Sequence, residues 1–421
     1  MLGDTTWRKK FILFLLLLTT LSCTLNGCIL YDIRKHGSKV PIQEKGIDED
    51  NSNQYKLDDT NIQDITIKRE EESDEEVRSI TISVVGDIMV HSPQFKSAMI
   101  EDGGYDFFPV FEEIREHIVN SDLALCNLET TISTPEKGYT GYPCFKTPEA
   151  LIPAMKNTGF DVVITANNHS LDALEFGVIN TLDALDRYEL FHTGTFRSKE
   201  ESDSLLTLNR GGIKLAILAY TYGTNGMEAA MDKDKLDYMV NYIDKETIAG
   251  DIQRAKKEDV DIIILYMHWG IEYSRIVDDY IKKLADDLFN AGADIILGSH
   301  PHVIQPMERK TIIDDDSEER QVFIAYSLGN FISNQREQYR DSGIIVNIAI
   351  VKKGNKTTIH DVTYTPTWVR KYEDNGKLQY KILPVEKFID SGLPAPELNR
   401  IKSVWQETTG IIDDERIKTT K

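Results

Sequence analysis

Cysteine is scarce: there are four in 421 residues, and beyond residue 30 only Cys126 and Cys144 remain. That excludes a disulfide framework and a thiolate-built metal site. Positive charge is also short, with 48 Lys and Arg against 69 Asp and Glu and a net charge of −21. Nucleic acid and anionic lipid headgroups are gripped by clustered Lys and Arg, so neither is expected as a direct partner. Long apolar runs are missing outside the amino terminus, and no internal repeat is evident. An apolar content of 41% with 28% charged residues is that of a globular chain.

The one long apolar run follows Arg8, Lys9 and Lys10 and reads "FILFLLLL" (11–18), the layout of a processing signal rather than of a fold. "LNGC" (25–28) resembles the bacterial lipobox, which implies cleavage before Cys28 and a diacylglycerol on that residue. Alternatively residues 11–30 span the bilayer as an uncleaved anchor. Both readings put the rest of the chain on the outer face of the cytoplasmic membrane. Residues 29–78 are polar and include "EEESDEE" (70–76), so they read as an acidic disordered tether.

From 79 to 390 strand-like runs alternate with amphipathic helical ones, which predicts an α/β domain with a largely buried sheet. Strands are expected at 80–85, 122–128, 161–165, 213–219, 261–267, 294–298 and 322–327. Helices are expected near 108–119, 149–157, 175–188, 244–257 and 278–291, with one opening at Thr147-Pro148-Glu149 and ending at Gly159. Two alternating runs around Gly354-Asn355 predict a β-hairpin. Residues 391–421 form a charged segment with no recognisable chemistry.

What is present is histidine at strand ends. Five of the nine histidines lie in short polar clusters after apolar runs: "VVGDIMVH" (84–91), "VVITANNH" (162–169), "IIILYMHWG" (262–270) and "IILGSHPH" (295–302). A fifth run, "LALCNLE" (123–129), ends in Asn127 and Glu129. Strands ending side by side can aim imidazole, carboxylate and amide oxygen at one point, a donor mixture that suits Mn, Fe or Zn. In "SHPH" the spacing His300-Pro301-His302 is expected to set both imidazoles on one side of an extended segment. His36, His117, His192 and His360 read as structural or solvent-facing.

The motifs "GDIMVH", "NLETTIS", "ANNHSLDALEFG", "HWGIEY", "GSHPHVIQP" and "YSLGNF" occur in the order seen in the CapA family of bacterial capsule (poly-γ-glutamate) synthesis proteins, which resemble calcineurin-type metallophosphatases. The resemblance covers residues 80–335. It implies a four-layer α/β/β/α sandwich with ligand loops at one sheet edge. It also implies two divalent ions: Asp87, His91 and His302 on one, Asn168, His268 and His300 on the other, and Glu129 bridging. His169 would then be the proton donor to a leaving group. Asn127, Glu272 and Asn330 would support the ligands, with Glu272 orienting an imidazole. The chain departs from the phosphatase pattern in "DIMVH", where three residues rather than one separate Asp87 from His91, and in having Glu129 where an Asp is usual.

The resemblance implies a capsule-polymer biosynthesis protein whose partner is the anionic polymer or its synthase complex, and the lipid anchor adds the membrane. Two other readings stay open: a phosphoesterase or amidohydrolase unrelated to capsule, and a non-enzymatic polymer-binding or scaffold subunit.

Overall fold

Strong β-formers in short apolar runs fill both faces of two sheets. The structure, a computed structural model, describes residues 76–313 and 317–420. The expectations for Cys28, for residues 1–28 and for nearly all of the tether therefore lie outside the described residues. In chain order the first strands are β1 (Val77–Ile88), β2 (Leu123–Leu128), β3 (Thr131–Ser133), β4 (Lys146–Pro148), β5 (Val162–Ile164), β6 (Phe191–Thr193), β7 (Leu206–Arg210) and β8 (Ile213–Thr221). They are followed by β9 (Ile262–His268), β10 (Ile295–Ser299), β11 (Met307–Ile313), β12 (Glu319–Ala325), β13 (Asn330–Ile332), β14 (Ser342–Lys353), β15 (Lys356–Asp374), β16 (Lys377–Pro384) and β17 (Ile417–Thr419). The longer helices are α1 (Leu151–Thr158), α2 (Leu174–Arg187), α3 (Lys245–Lys257), α4 (Asp279–Ala291) and α5 (Ala395–Thr409).

One sheet runs β16-β15-β14-β1-β2-β5-β6, with β13 beside β1 and β17 beside β15; the other runs β11-β12-β10-β9-β8-β7. Their facing sides interleave Ile82, Val84 and Leu125 with Ile217, Ile264 and Leu297 in one buried core. The outer side of the first sheet packs Ala124, Cys126 and Val163 against Leu151 and Met155 of α1 and Val178 and Leu182 of α2. The outer side of the second packs Ala216, Ile263 and Leu265 against Ile248 and Ile252 of α3 and Leu284 and Leu288 of α4. This is the expected α/β/β/α sandwich, since each sheet has one face for the other sheet and one for helices.

The seven expected strands are all present, as is the hairpin between β14 and β15. The helix over 108–119 is broken by a 3-10 turn at Glu112–Ile114. Thr147 and Pro148 do not open a helix: they belong to β4, which pairs with β3, and α1 begins at Leu151 and ends at Gly159 in the left-handed region, φ 109°. In the carboxy-terminal segment, Ile401 and Val404 of α5 are buried against Trp368, Leu383 and Val385. Cys126 is a buried free thiol and Cys144 a half-buried one. No helix of the described residues is long and apolar enough to cross a membrane.

Candidate metal centre

The carboxyl ends of parallel strands meet at one edge, and register decides which side chains arrive together. Asp87 of β1 stands opposite Asn127 of β2 and Asn330 of β13, while His268, the last residue of β9, stands opposite Ser299 of β10 and Thr221 of β8. Gly86 lets β1 come close to the 328–330 turn: a Cβ there would lie 2.0 Å from the Gly329 carbonyl oxygen. The Asp87 N–H donates to that oxygen at 3.0 Å, and the Glu129 N–H donates to the Ile88 carbonyl at 3.0 Å.

Asp87, Glu129, Asn168, His268, His300 and His302 are all buried at this edge. His268 Nε2 lies 3.0 Å from Asn168 Oδ1 and 3.6 Å from Glu129 Oε1, while its Nδ1 is 2.9 Å from Ser299 Oγ. His302 Nδ1 lies 3.2 Å from Asp87 Oδ2 and 3.1 Å from Asn330 Oδ1, and His302 Nε2 lies 3.8 Å from Glu129 Oε1. The His300 ring sits 4.9 Å from that of His268 and 6.0 Å from that of His302, centre to centre. Donor atoms of Glu129, His300 and His302 lie within 4.8 Å of one another, as do those of Asp87, Glu129 and His268. Both groups contain Glu129, and they cut across the partition the sequence suggested, because the side chains crowd around one carboxylate.

The supporting bonds fix orientation. Asn127 Nδ2 donates to Asp87 Oδ1 at 2.8 Å. Asn330 Nδ2 donates to the Arg340 carbonyl at 2.8 Å, which turns its oxygen toward His302. The hydroxyl beside His268 belongs to Ser299, a partner with no signal of its own in the sequence.

Both Glu129 oxygens and His300 Nδ1 are buried without a hydrogen-bond partner. Leaving such groups unsatisfied costs about 1–3 kcal/mol each, more for a charged one. Burial, then the Asp87 charge, pushes the Glu129 carboxyl well above the usual carboxylate range. Burial, reinforced by neighbouring imidazoles, holds His268 far below its ordinary value and lowers His300 to about 3. His268 and His300 held neutral by burial, with His300 Nδ1 unpartnered, beside a carboxylate that lacks a hydrogen bond are a donor set that a divalent cation satisfies, so these residues fit a metal ion.

His300 and His302 do not lie on an extended segment as expected. Their φ angles are 98° and 57°, so a left-handed turn around Pro301 brings both rings to the cluster. A non-glycine residue in that region costs of order 1–3 kcal/mol and persists where surrounding structure over-determines it. His91 caps the short helix Ser92–Ser97 at the rim, its Nδ1 accepting the Asn334 N–H at 3.3 Å and its ring edge-on to Phe145. Burial lowers its pKa to about 4. It joins neither close donor group.

His169 lies in a cavity of about 330 Å³ lined by Tyr142, Cys144, Asn168, Asn225 and Glu272 among others. Its Nδ1 is 2.7 Å from Asp172 Oδ2, which also accepts the Phe145 N–H at 2.5 Å. Burial raises the Asp172 pKa, and the His169 bond opposes that shift. An Nδ1–H on Asp172 leaves Nε2 as the nitrogen available for proton transfer. Asp172 was missed in the sequence, although its position three residues after His169 in "NHSLD" was a usable signal. Tyr222 was missed as well: its ring stacks at 9° to that of His268 and sits 4.5 Å from that of His300.

Glu272 does not orient an imidazole. Gly270 and Tyr273, with φ of 94° and 67°, turn the chain outward after β9, and Glu272 stands exposed in the cavity mouth. Trp269 packs in the core and donates Nε1–H to the Tyr326 carbonyl at 3.1 Å.

The chain is similar to the capsule biosynthesis protein CapA of Bacillus anthracis, 27% identical over 68% of this chain and 67% of that one. It is similar to the PGA biosynthesis protein CapA of Bacillus subtilis, 29% identical over 72% of this chain and 82% of that one. Among solved structures it resembles the calcineurin-like phosphoesterase YfkN from Bacillus subtilis, at TM-score 0.41 and 15% identity over 80% of this chain and 99% of that one. A family model, "Bacterial capsule synthesis protein PGA_cap", matches residues 81–335, and this chain belongs to that family.

Proposed function

We propose that this protein is a membrane-anchored, extracytoplasmic capsule-biosynthesis protein that acts on a capsule-type polymer such as poly-γ-glutamate through a dinuclear divalent metal centre. The capsule-synthesis names of its relatives support the context. The observation that carries the metal centre is Glu129, a buried carboxylate with both oxygens unpartnered and with His268, His302 and Asp87 close by. In this reading Glu129 would serve both ions, and Asp87, Asn168, His268, His300 and His302 would be the other donors around it, with His91 at the rim.

Two cations held there would supply Lewis acidity and a hydroxide near neutral pH. The chain's own part is positional. Ser299 and Asn330 hold the imidazoles, and burial of the cluster strengthens every charge interaction inside it. His169, held on Asp172 through Nδ1, would present Nε2 to a departing group. That pair favours hydrolysis of an amide or phosphoester over a purely scaffolding role.

Elemental analysis of the purified protein tests the centre. Two Mn, Fe or Zn ions per chain are expected, with Glu129→Gln losing them, and wild-type protein that binds no metal overturns the reading. The anchor is tested separately by mass spectrometry of membrane-extracted protein. A diacylglycerol on Cys28 is expected, and an unprocessed Met1 terminus overturns it. Deletion of the gene is expected to change surface polymer in amount, length or attachment. An unchanged polymer would leave a hydrolase of other purpose.

A further inference from the structure

The cavity beside the metal cluster has a polarity that phosphate chemistry does not explain. No Lys or Arg is among its lining residues. One of its two carboxylates, Asp172, is taken up by His169 and the Phe145 N–H. The other, Glu272, is exposed in the mouth with the Tyr273 hydroxyl as its hydrogen-bonding neighbour, and its charge, after burial, helps push that hydroxyl up to about 12. The Arg340 guanidinium sits 3.4 Å from the Tyr273 ring centre and 3.4 Å from Glu337, and Arg340 is not among the cavity's lining residues. Tyr142, 77% exposed, lines the same cavity as Glu272.

With cations bound, the inner end of this cavity would be electropositive, while its lining away from the cluster includes the exposed Glu272 carboxylate and Tyr142. A group with the matching dipole carries a carbonyl or carboxylate at one end and a cation at the other. An aromatic ring beside a carboxylate is a good seat for an ammonium ion and a poor one for a phosphate. We propose that the cavity is a subsite for the ammonium-bearing end of an amino acid or peptide-type chain, with Glu272 as counter-ion and Tyr142 as flanking ring. This rests on the reading of the adjacent cluster as the reacting centre. It assigns to that centre a substrate with a free primary amine close to the bond it works on, and it gives Glu272 a role in selectivity.

The experiment is calorimetric titration of the metal-loaded full-length protein with γ-glutamylglutamate and with its N-acetyl derivative, alongside elemental analysis. The two probes share every carboxylate and differ in the cation. The free-amine probe is expected to bind about 5–10-fold more tightly, and the gap should shrink as ionic strength rises through the range where a Debye length falls to about 3 Å. Glu272→Gln should erase the preference while leaving metal content unchanged, and Glu272→Lys should reverse it. Equal affinities in the wild type, or a preference that survives in Glu272→Gln, overturn the subsite. Protein that shows the Glu272-dependent preference but holds no metal keeps the subsite and sinks the metal centre. Metal-loaded protein without the preference sinks the subsite alone.

Discussion

His169 and Asp172 show how much rests on one proton. The Nδ1 to Oδ2 contact of 2.7 Å fixes which ring nitrogen faces the cavity. Asp172→Asn keeps the shape but removes the charge that stabilises the imidazolium and permits the wrong tautomer. Turnover of a chromogenic phosphodiester or a γ-glutamyl amide by the metal-loaded protein is expected to fall by about 10²–10⁴, the range of a positioned acid. Metal content should stay unchanged, because Asp172 stands in neither donor group. A loss smaller than threefold would remove His169 from the chemistry. At this scale the sequence was informative wherever a residue type is costly to bury. Asp87, Glu129, Asn168, His268, His300 and His302 are hard to account for on apolar strand ends without a shared task. It was silent on Ser299 and Tyr222, because a serine hydroxyl and a tyrosine ring serve in too many places to be singled out. Glu272 misled because "HWGIEY" does not state that the chain turns outward at Gly270.

At the scale of elements, the site depends on how closely β1 approaches the turn before β13. Gly86→Ala puts a methyl 2.0 Å from backbone oxygen that cannot swing aside. The strands must part, at a cost of about 3 kcal/mol in unfolding free energy, and Asp87 moves with them. Chemical denaturation is expected to show the lowered midpoint, and metal analysis a weaker hold on the ion that Asp87 serves. A variant with wild-type stability would mean that the approach is less tight than described. The apolar periodicity announced the seven main strands and the hairpin, since runs such as "IIILYM" leave little choice. The short strands β3, β4, β6, β13 and β17 were not legible. With three residues each, they are set by tertiary pairing and lack a period of their own.

For the whole molecule, the donors come from both sheets. Asp87 and Glu129 belong to the β1 and β2 side, and His268, His300 and His302 to the β9 and β10 side. Removing metal with a chelator should therefore lower the stability of the entire unit. With metal at 100 times its dissociation constant, the loss is about 2.7 kcal/mol. Differential scanning calorimetry with and without EDTA is the measurement, and an unchanged Tm would separate the cluster from any bound ion. Two sheets could not be read from the period-two pattern, which gives faces but not partners. The family resemblance supplied that step, and the shared core of Ile82, Val84, Ile217 and Ile264 accounts for it physically.

The left-handed turn at His300 and His302 carries a consequence for assembly. Two strained residues hold their angles only while Ser299 and Val303 are pinned on either side, and Ser299 is pinned by its register with His268. The ligand geometry thus depends on the completed pairing of β9 with β10. On the proposed extracytoplasmic reading, a chain that pairs β9 with β10 only after export would take its metal from what the destination compartment offers.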